Sequence, residues 1–240
     1  VGVSAYDDTN LRLNYAAKDA SDLAAALRVQ QGRYYSSVEE TVLTDAEASD
    51  KRIVEELTKL RRKATADDYV IVFMAGHGMT DDALDFYFLP VGANPEPDML
   101  AATAIDGSLI RKGLARIPGK VVLLMDACYS ARGIGNEKGA ADMTGFANSL
   151  SGDGNGVVMY ASSTGREVSY ESADWQNGAF TEALLSILGD PQTYGPDGKL
   201  SISELDEALS ERVEELTEGR QNAVMTKPGA VKRFFIASVN

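Results

Sequence analysis

The 240-residue chain contains one cysteine, one histidine and one tryptophan. A single cysteine forms no disulfide within the chain, which fits a reducing compartment. No stretch approaches the roughly 18 consecutive apolar residues of a transmembrane helix, and no short apolar signal core follows a charged start. We therefore expect a cytoplasmic protein with no membrane partner. Because the sequence starts as if inside a strand, we also expect it to be a domain excised from something longer, so targeting segments can lie outside it.

Positive charge is the scarcer sign. The chain has 36 acidic and 23 basic side chains and a net charge of −13. Such a field repels nucleic acid phosphates and attracts cations or basic peptides, although an acidic surface also simply aids solubility. Apolar residues make up 44% and charged residues 25%, as in ordinary globular proteins. We expect no nucleic acid partner.

Strands alternate with helices along the predicted fold. Short apolar runs predict strands at 1–6, 38–43, 69–75, 120–125, 157–162 and 231–236, with a hairpin-like stretch at 86–89. Amphipathic spacing predicts helices at 15–27, 46–60, 109–115, 178–188 and 203–216. This order predicts an α/β fold: a single three-layer αβα domain with a mostly parallel central sheet of about six strands.

The lone histidine and the lone cysteine each follow a run of apolar, β-branched residues. His77 comes after the strand predicted at 69–75, and Cys128 comes after the one at 120–125. If the two strands are parallel neighbours, both side chains emerge at the carboxyl edge of the sheet, where open α/β sheets build their sites. A thiol and an imidazole held together form a nucleophile and its base.

The motifs around these residues resemble a known family. They are HG at 77–78, DACYS at 126–130 and the helix start GAFT at 178–181, with the histidine 51 residues before the cysteine. This order and spacing resemble those of caspase-like cysteine peptidases. The resemblance is closest to the bacterial caspase homologues of the metacaspase or orthocaspase type, with the caspase-hemoglobinase fold. Residues 129 and 131 depart from the common family signature, which leaves pocket shape open.

The resemblance implies cysteine endopeptidase activity with protein or peptide substrates. The catalytic dyad would be His77 and Cys128, and the oxyanion hole would use the backbone N–H groups of Gly78 and Cys128. The domain would have a large-subunit-like part at 1–130, a flexible loop at 131–155 and a small-subunit-like part at 156–240. The alternative reading is a catalytically silent caspase-like scaffold that signals by protein–protein association.

The residue two before the cysteine bears on specificity. In the family this position lines the S1 pocket, so the resemblance implies that Asp126 selects substrates with arginine or lysine before the cleaved bond. A second S1 acid is expected beyond the fifth strand, with Glu167 first and Glu171 and Asp174 as weaker candidates. Trp175, in the same loop, is a candidate subsite wall or an ordinary packing residue.

Two further expectations concern regulation. Arg132 and Lys138 lie in the long loop after the cysteine and are candidate sites of self-cleavage, unless the loop is passive. No cofactor is required for the chemistry, but calcium is a candidate activator because many metacaspases need it. The sequence locates no metal site.

Overall fold

The computed structural model describes residues 1–127, 143–152, 156–163 and 169–239, without the side chains of residues 143, 144 and 151. In these residues the helices are α1 Ala16–Arg28, α2 Asp50–Lys63, α3 Pro97–Thr103, α4 Gly107–Leu114, α5 Met143–Ser151, α6 Ala179–Gly189 and α7 Ile202–Thr217. The strands are β1 Tyr69–Gly76, β2 Gly78–Thr80, β3 Phe86–Phe88, β4 Ile105–Asp106, β5 Lys120–Ala127, β6 Val157–Ala161, β7 Glu171–Ser172, β8 Asn177–Gly178, β9 Lys199–Ser201, β10 Val224–Thr226 and β11 Phe235–Ser238.

The central sheet has the order β1-β5-β6-β10. β1, β5 and β6 run parallel, and β10 pairs antiparallel with β6. β5 is buried along nearly its whole length, as expected for a strand covered on both faces. The mostly parallel sheet and the α/β class are as the sequence predicts.

Alternate side chains of the strands pack into two separate hydrophobic cores. In β5, Val121, Leu123 and Met125 pack on the side of α2, α4 and α5. Val122 and Leu124 pack on the other side, with α1, α6 and α7. Because successive side chains on a strand point to opposite faces, Asp126 belongs to the face of α1 and α6. The result is the predicted arrangement of a sheet between two helical layers.

Two predicted strands are not regular strands. At 1–6, only Gly2 forms isolated bridges, to Thr44 and Ala75. Val3 N–H bonds to the Ala75 carbonyl of β1 at 3.0 Å, but Ser4 N–H and Ala5 N–H bond to the Asp45 carboxylate at 2.8 Å each instead of to another strand. The segment 38–43 likewise carries no strand.

The end of the chain also differs from the prediction. The strand predicted at 231–236 begins later, as β11, and pairs with β9 in a separate two-stranded sheet. It begins later because the Val231 N–H still closes a turn on the Pro228 carbonyl at 3.0 Å, and it does not join the central sheet. The antiparallel strand of the central sheet is β10, which the apolar pattern does not reveal.

In the portions of the chain described above, no helix combines the length and the apolarity needed to cross a membrane.

Candidate functional site

The two sequence motifs follow neighbouring strands that end together. β1 and β5 are paired in register so that Gly76 lies opposite Ala127. His77 follows the first of these residues, and Cys128 follows the second in sequence but lies outside the described residues. A Cβ atom built on Gly78 would lie 3.4 Å from the Ala127 carbonyl oxygen, so the backbone just after the histidine lies close to the end of β5. This carboxyl edge is the candidate site.

The imidazole of His77 is almost fully buried, with 1% exposed. Its Nε2 lies 2.8 Å from the carbonyl oxygen of Leu11. A carbonyl oxygen only accepts hydrogen bonds, so in this contact Nε2 carries the proton. In the neutral ring Nδ1 is then the basic nitrogen. The contact fixes a tautomer as well as an orientation.

Gly78 opens β2 and leaves no room for a side chain. A Cβ at this position would lie 2.5 Å from Cε2 of Phe86 and 3.0 Å from its Cζ. Glycine is therefore required for packing here. The oxyanion role of its N–H stays a prediction.

The carboxyl of Asp126 is buried at the end of β5, with 7% of the residue exposed. Oδ1 accepts a hydrogen bond from Ser169 at 3.0 Å, and Oδ2 accepts one from Thr181 at 3.4 Å. Burial, with a smaller contribution from the charge of Glu171, raises the pKa of Asp126 to about 6, against the lowering effect of hydroxyl donors that include Ser162. Ionising this carboxyl in the folded protein is thus costly.

A second buried acid lies beside it. Asp19, on α1, is 2% exposed and accepts hydrogen bonds from the Asn177 side chain at 2.8 Å and from the Gly178 N–H at 3.2 Å. A Cβ atom built on Gly178 would lie 3.0 Å from Oδ2 of Asp126 and 3.2 Å from Oδ2 of Asp19. The two oxygens are therefore within roughly 6 Å of each other, close enough for their charges to interact.

The proximity of the two acids shows in the pKa of Asp19. Burial raises it from 3.8 to about 8, and the charge of Asp126 is the next largest cause. Hydrogen bonds from Asn177 and Gly178 act in the opposite direction without cancelling the shift. We call Asp19 and Asp126 the acid pair.

Asp19 is not among the site residues predicted from the sequence, although its position in α1 carries a signal. Ala16, Ala20 and Leu23 form the buried stripe of α1, and Asp19 lies within that stripe at helical spacing. A carboxylate in an apolar stripe is rarely buried without a partner or a task. An acidic residue at a buried position of an amphipathic helix is therefore the signal from which Asp19 could have been predicted.

Comparison with known proteins identifies the family to which the chain belongs. The family model described as "Caspase domain" matches residues 1–235. The chain belongs to the caspase domain family. A search of curated proteins finds no match. Among solved structures, the chain is similar in fold to the crystal structure of protein GSU0716 from Geobacter sulfurreducens, with a TM-score of 0.69, 15% identity, and coverage of 96% of this chain and 92% of that one.

Membership of the caspase domain family confirms the resemblance that the motifs gave. It supports a function of the cysteine peptidase type, with proteins as substrates. It does not by itself assign the catalytic residues or the residue preferred before the cleaved bond.

The loop that carries the weaker acid candidates packs on the start of α1. Glu171 accepts three hydrogen bonds at 3.0 Å, from the backbone and side chain of Asn14 and from the Tyr15 N–H. This carboxylate therefore fastens the β7–β8 hairpin to α1, where negative charge is also favoured near the helix N-terminus. Asp174 is exposed in the turn of the hairpin. Neither observation supports direct substrate binding by these two acids.

Trp175 lies in the same turn and is half-buried. Its indole N–H donates to the carbonyl of Asn177 at 2.9 Å. The side chain of Asn177 in turn binds Asp19, so the tryptophan is one residue removed from the acid pair. Its role as a subsite wall stays a prediction.

Several predicted site residues lie outside the described residues. These are Cys128, Glu167, Arg132 and Lys138. The assignments made for them stay predictions, as does calcium activation. Within the described ranges, no group of three or more His, Cys, Asp or Glu side chains is placed to hold a metal ion.

Proposed function

We propose that this caspase-domain protein is a cysteine endopeptidase that cleaves after arginine or lysine, using Cys128 as nucleophile and His77 as base. One observation carries the specificity: the acid pair, two buried carboxyls that converge beside the carboxyl ends of β1 and β5.

The acid pair favours a cationic ligand because, among the described residues, no Lys or Arg is found to lower the pKa of either acid. A neighbouring Lys or Arg lowers the pKa of an acid, but the pKa of Asp19 and that of Asp126 are both raised. A guanidinium or ammonium group entering between the two carboxyls would let both ionise and would gain charge-assisted hydrogen bonds. An acidic side chain there would add a third acid to a site in which ionisation is already unfavourable. The net charge of −13 also favours basic substrates at longer range.

The proposed chemistry is acyl transfer in two steps. The thiol of Cys128 passes its proton to Nδ1 of His77, and the thiolate attacks the peptide carbonyl carbon. The tetrahedral intermediate collapses as the C–N bond breaks, and the imidazolium gives its proton to the departing amine. Water, deprotonated by the same imidazole, then hydrolyses the thioester and restores the thiol.

Two groups assist these steps without reacting. The Leu11 carbonyl accepts from Nε2–H of His77, which keeps Nδ1 as the basic nitrogen and favours the imidazolium once it forms. The N–H groups of Gly78 and Cys128 are proposed to bind the oxyanion. Removing one such donor from an oxyanion hole typically slows the chemical step about 100- to 1,000-fold.

Turnover of fluorogenic peptides tests the activity and the specificity together. Peptides with Arg, Lys or Asp before the cleavable bond should show cleavage of the first two only. Cys128→Ala should abolish turnover, and an Arg chloromethyl ketone should label the wild type at Cys128. Cleavage of the Asp peptide alone would reverse the specificity, and a wild type that neither turns over nor becomes labelled would identify a silent scaffold.

The acid pair is tested by Asp126→Asn, with Asp174→Asn as its control because Asp174 is exposed in the neighbouring turn. Truncating one partner of a buried charge pair typically costs about 2–5 kcal/mol. We therefore expect kcat/KM for Arg peptides to fall by roughly 30-fold or more in the first variant and by less than about twofold in the second. Equal effects in both variants would remove the acid pair from substrate binding.

A further inference from the structure

Tyr6 is a buried residue next to the proposed base. It is 1% exposed, and its ring centroid lies 5.1 Å from that of His77. Its hydroxyl accepts the backbone N–H of His77 at 2.8 Å and donates to the carbonyl of Leu89 at 3.1 Å. Burial raises the pKa of Tyr6 well above its ordinary value, so the hydroxyl keeps its proton at any working pH.

These bonds form a closed ring. Leu89 N–H donates to the carbonyl of His77 at 2.9 Å, while the Leu89 carbonyl accepts from Tyr6. The hydroxyl of Tyr6 thus links the amide of His77 to the same residue that binds its carbonyl. Both backbone groups of the histidine are held, and neither is held by the continuing ladder of β1.

The chain makes room for this hydroxyl at Gly76. A Cβ atom there would lie 2.7 Å from Oη of Tyr6 and 3.3 Å from Cζ of Phe88. Gly76 also has a φ of +154°, which residues other than glycine rarely adopt. A glycine at position 76 therefore leaves the space that the Tyr6 hydroxyl occupies.

The same N-terminal segment holds the imidazole. Leu11, five residues beyond Tyr6, supplies the carbonyl that accepts from Nε2 of His77. Residues 6–11 thus contact the backbone of the histidine through one end and its ring through the other. A shift of this segment would move the basic nitrogen.

We propose that Tyr6 is a positioning residue: its hydroxyl fixes the backbone of His77 so that Nδ1 is presented to the nucleophile. The proposal rests on the proposed function. A misplacement of about 1 Å at a reacting group can cost about 100-fold in rate, so a hydroxyl that fixes the main chain of the base can affect the chemical step without touching substrate.

The test is Tyr6→Phe, with Tyr160→Phe as the matched control. Tyr160 is also 1% exposed, and its hydroxyl also donates to a backbone carbonyl, that of Ile202, in the core on the far side of the sheet. Both variants lose one buried hydroxyl, so both should lower the unfolding midpoint. We expect kcat for Arg peptides to fall about 10- to 100-fold in Tyr6→Phe with KM within twofold, and to change less than twofold in Tyr160→Phe. Equal kcat values in the two variants would overturn the proposal.

A second readout does not depend on turnover. The chain has a single histidine, so selective ¹⁵N-histidine labelling gives one backbone amide and one imidazole signal pair. In the wild type we expect the Nε2–H tautomer and a slowly exchanging amide. Tyr6→Phe should speed exchange of that amide at least tenfold more than Tyr160→Phe does and should mix the tautomers. An unchanged amide and ring in Tyr6→Phe would refute positioning, whereas absent turnover in the wild type with these shifts intact would refute the proposed function alone.

If Tyr6→Phe does not fold, hydrogen exchange of the His77 backbone amide in the wild type tests the proposal. A His77 amide that exchanges as fast as an unfolded one would overturn the bond to Tyr6, and slow exchange would support it.

Discussion

Replacing Asp19 with asparagine should stabilise the ligand-free protein at neutral and higher pH and, on the proposed function, weaken the binding of basic substrates. Asparagine retains one oxygen, which accepts from Asn177 and Gly178, but it loses the second oxygen, to which the Gly178 N–H also donates at 3.2 Å. Its amide nitrogen then stands where the second oxygen faces Asp126. The substitution thus removes one ionisable carboxyl of the acid pair and places an amide donor near the other.

The magnitude follows from the two ionisation states. Asp19 ionises near pH 3.8 in the unfolded chain and near pH 8 in the folded protein. Between these values the unfolded chain binds fewer protons, so stability is full below about pH 4 and falls as pH rises, by up to about 1.4 kcal/mol per pH unit. From pH 5.5 to 8 this loss is about 3 kcal/mol, and the asparagine variant is spared it. We expect its advantage over the wild type to grow by roughly 2–3 kcal/mol across that interval.

Urea unfolding at pH 5.5 and pH 8 measures the effect. Asp22→Asn is the control, because Asp22 is one turn further along α1 and also binds Asn177, at 3.0 Å. Partial burial acts to raise the pKa of Asp22, but hydrogen bonds from Lys18 and Asn177 lower it below 3.8. Its contribution is therefore constant over this pH range, and the control's stability difference should not vary with pH. If Asp19→Asn shows no more pH dependence than Asp22→Asn, the acid pair is not strained in the empty enzyme.

Two other substitutions probe the same region. Gly178→Ala places a Cβ atom 3.0 Å from Oδ2 of Asp126 and 3.2 Å from Oδ2 of Asp19. Because Gly178 has an ordinary φ of −69°, backbone strain does not contribute to the effect. KM for Arg peptides should rise about tenfold or more, whereas Gly189→Ala, with nothing within 4 Å of its Cβ, should match the wild type; equal KM values in the two variants would contradict the geometry. Glu171→Gln removes the charge that accepts three hydrogen bonds at the start of α1, and thermal unfolding should reveal a loss of about 1–2 kcal/mol; an unchanged midpoint would show that the hairpin is held by other contacts.

The core strands could be predicted because their environment is uniform. β1 and β5 are buried on both faces, so a run of apolar, β-branched residues identifies each of them. Where backbone donors instead find a side chain, as Ser4 and Ala5 do at Asp45, the same kind of run does not form a strand. That outcome depends on a contact 40 residues away, which local pattern does not encode.

For a similar reason, Asp126 of the acid pair could be predicted from the sequence and Asp19 was not. Asp126 stands two residues from the cysteine in a motif, so family resemblance reaches it. Asp19 is joined to it only through Gly178, and the three residues come from α1, β5 and β8. Sequence periodicity marks Asp19 as misplaced in an apolar stripe, but only the fold shows what it faces.

The pKa shifts of the acid pair favour a substrate as the source of the compensating positive charge, since no described Lys or Arg supplies it. A protein that needed two ionised carboxyls here for stability alone would place a lysine or arginine beside them, and the pKa of each would fall. Instead, burial raises the pKa of both acids, the charge of Asp126 adds to the rise for Asp19, and the charge of Glu171 adds to the rise for Asp126, which costs folding free energy at neutral pH. A substrate cation removes that cost only while it is bound, so part of the recognition energy comes from relieving strain in the empty site. An uncharged isostere of arginine fills the same space without relieving it, and it should therefore bind much more weakly than its size predicts.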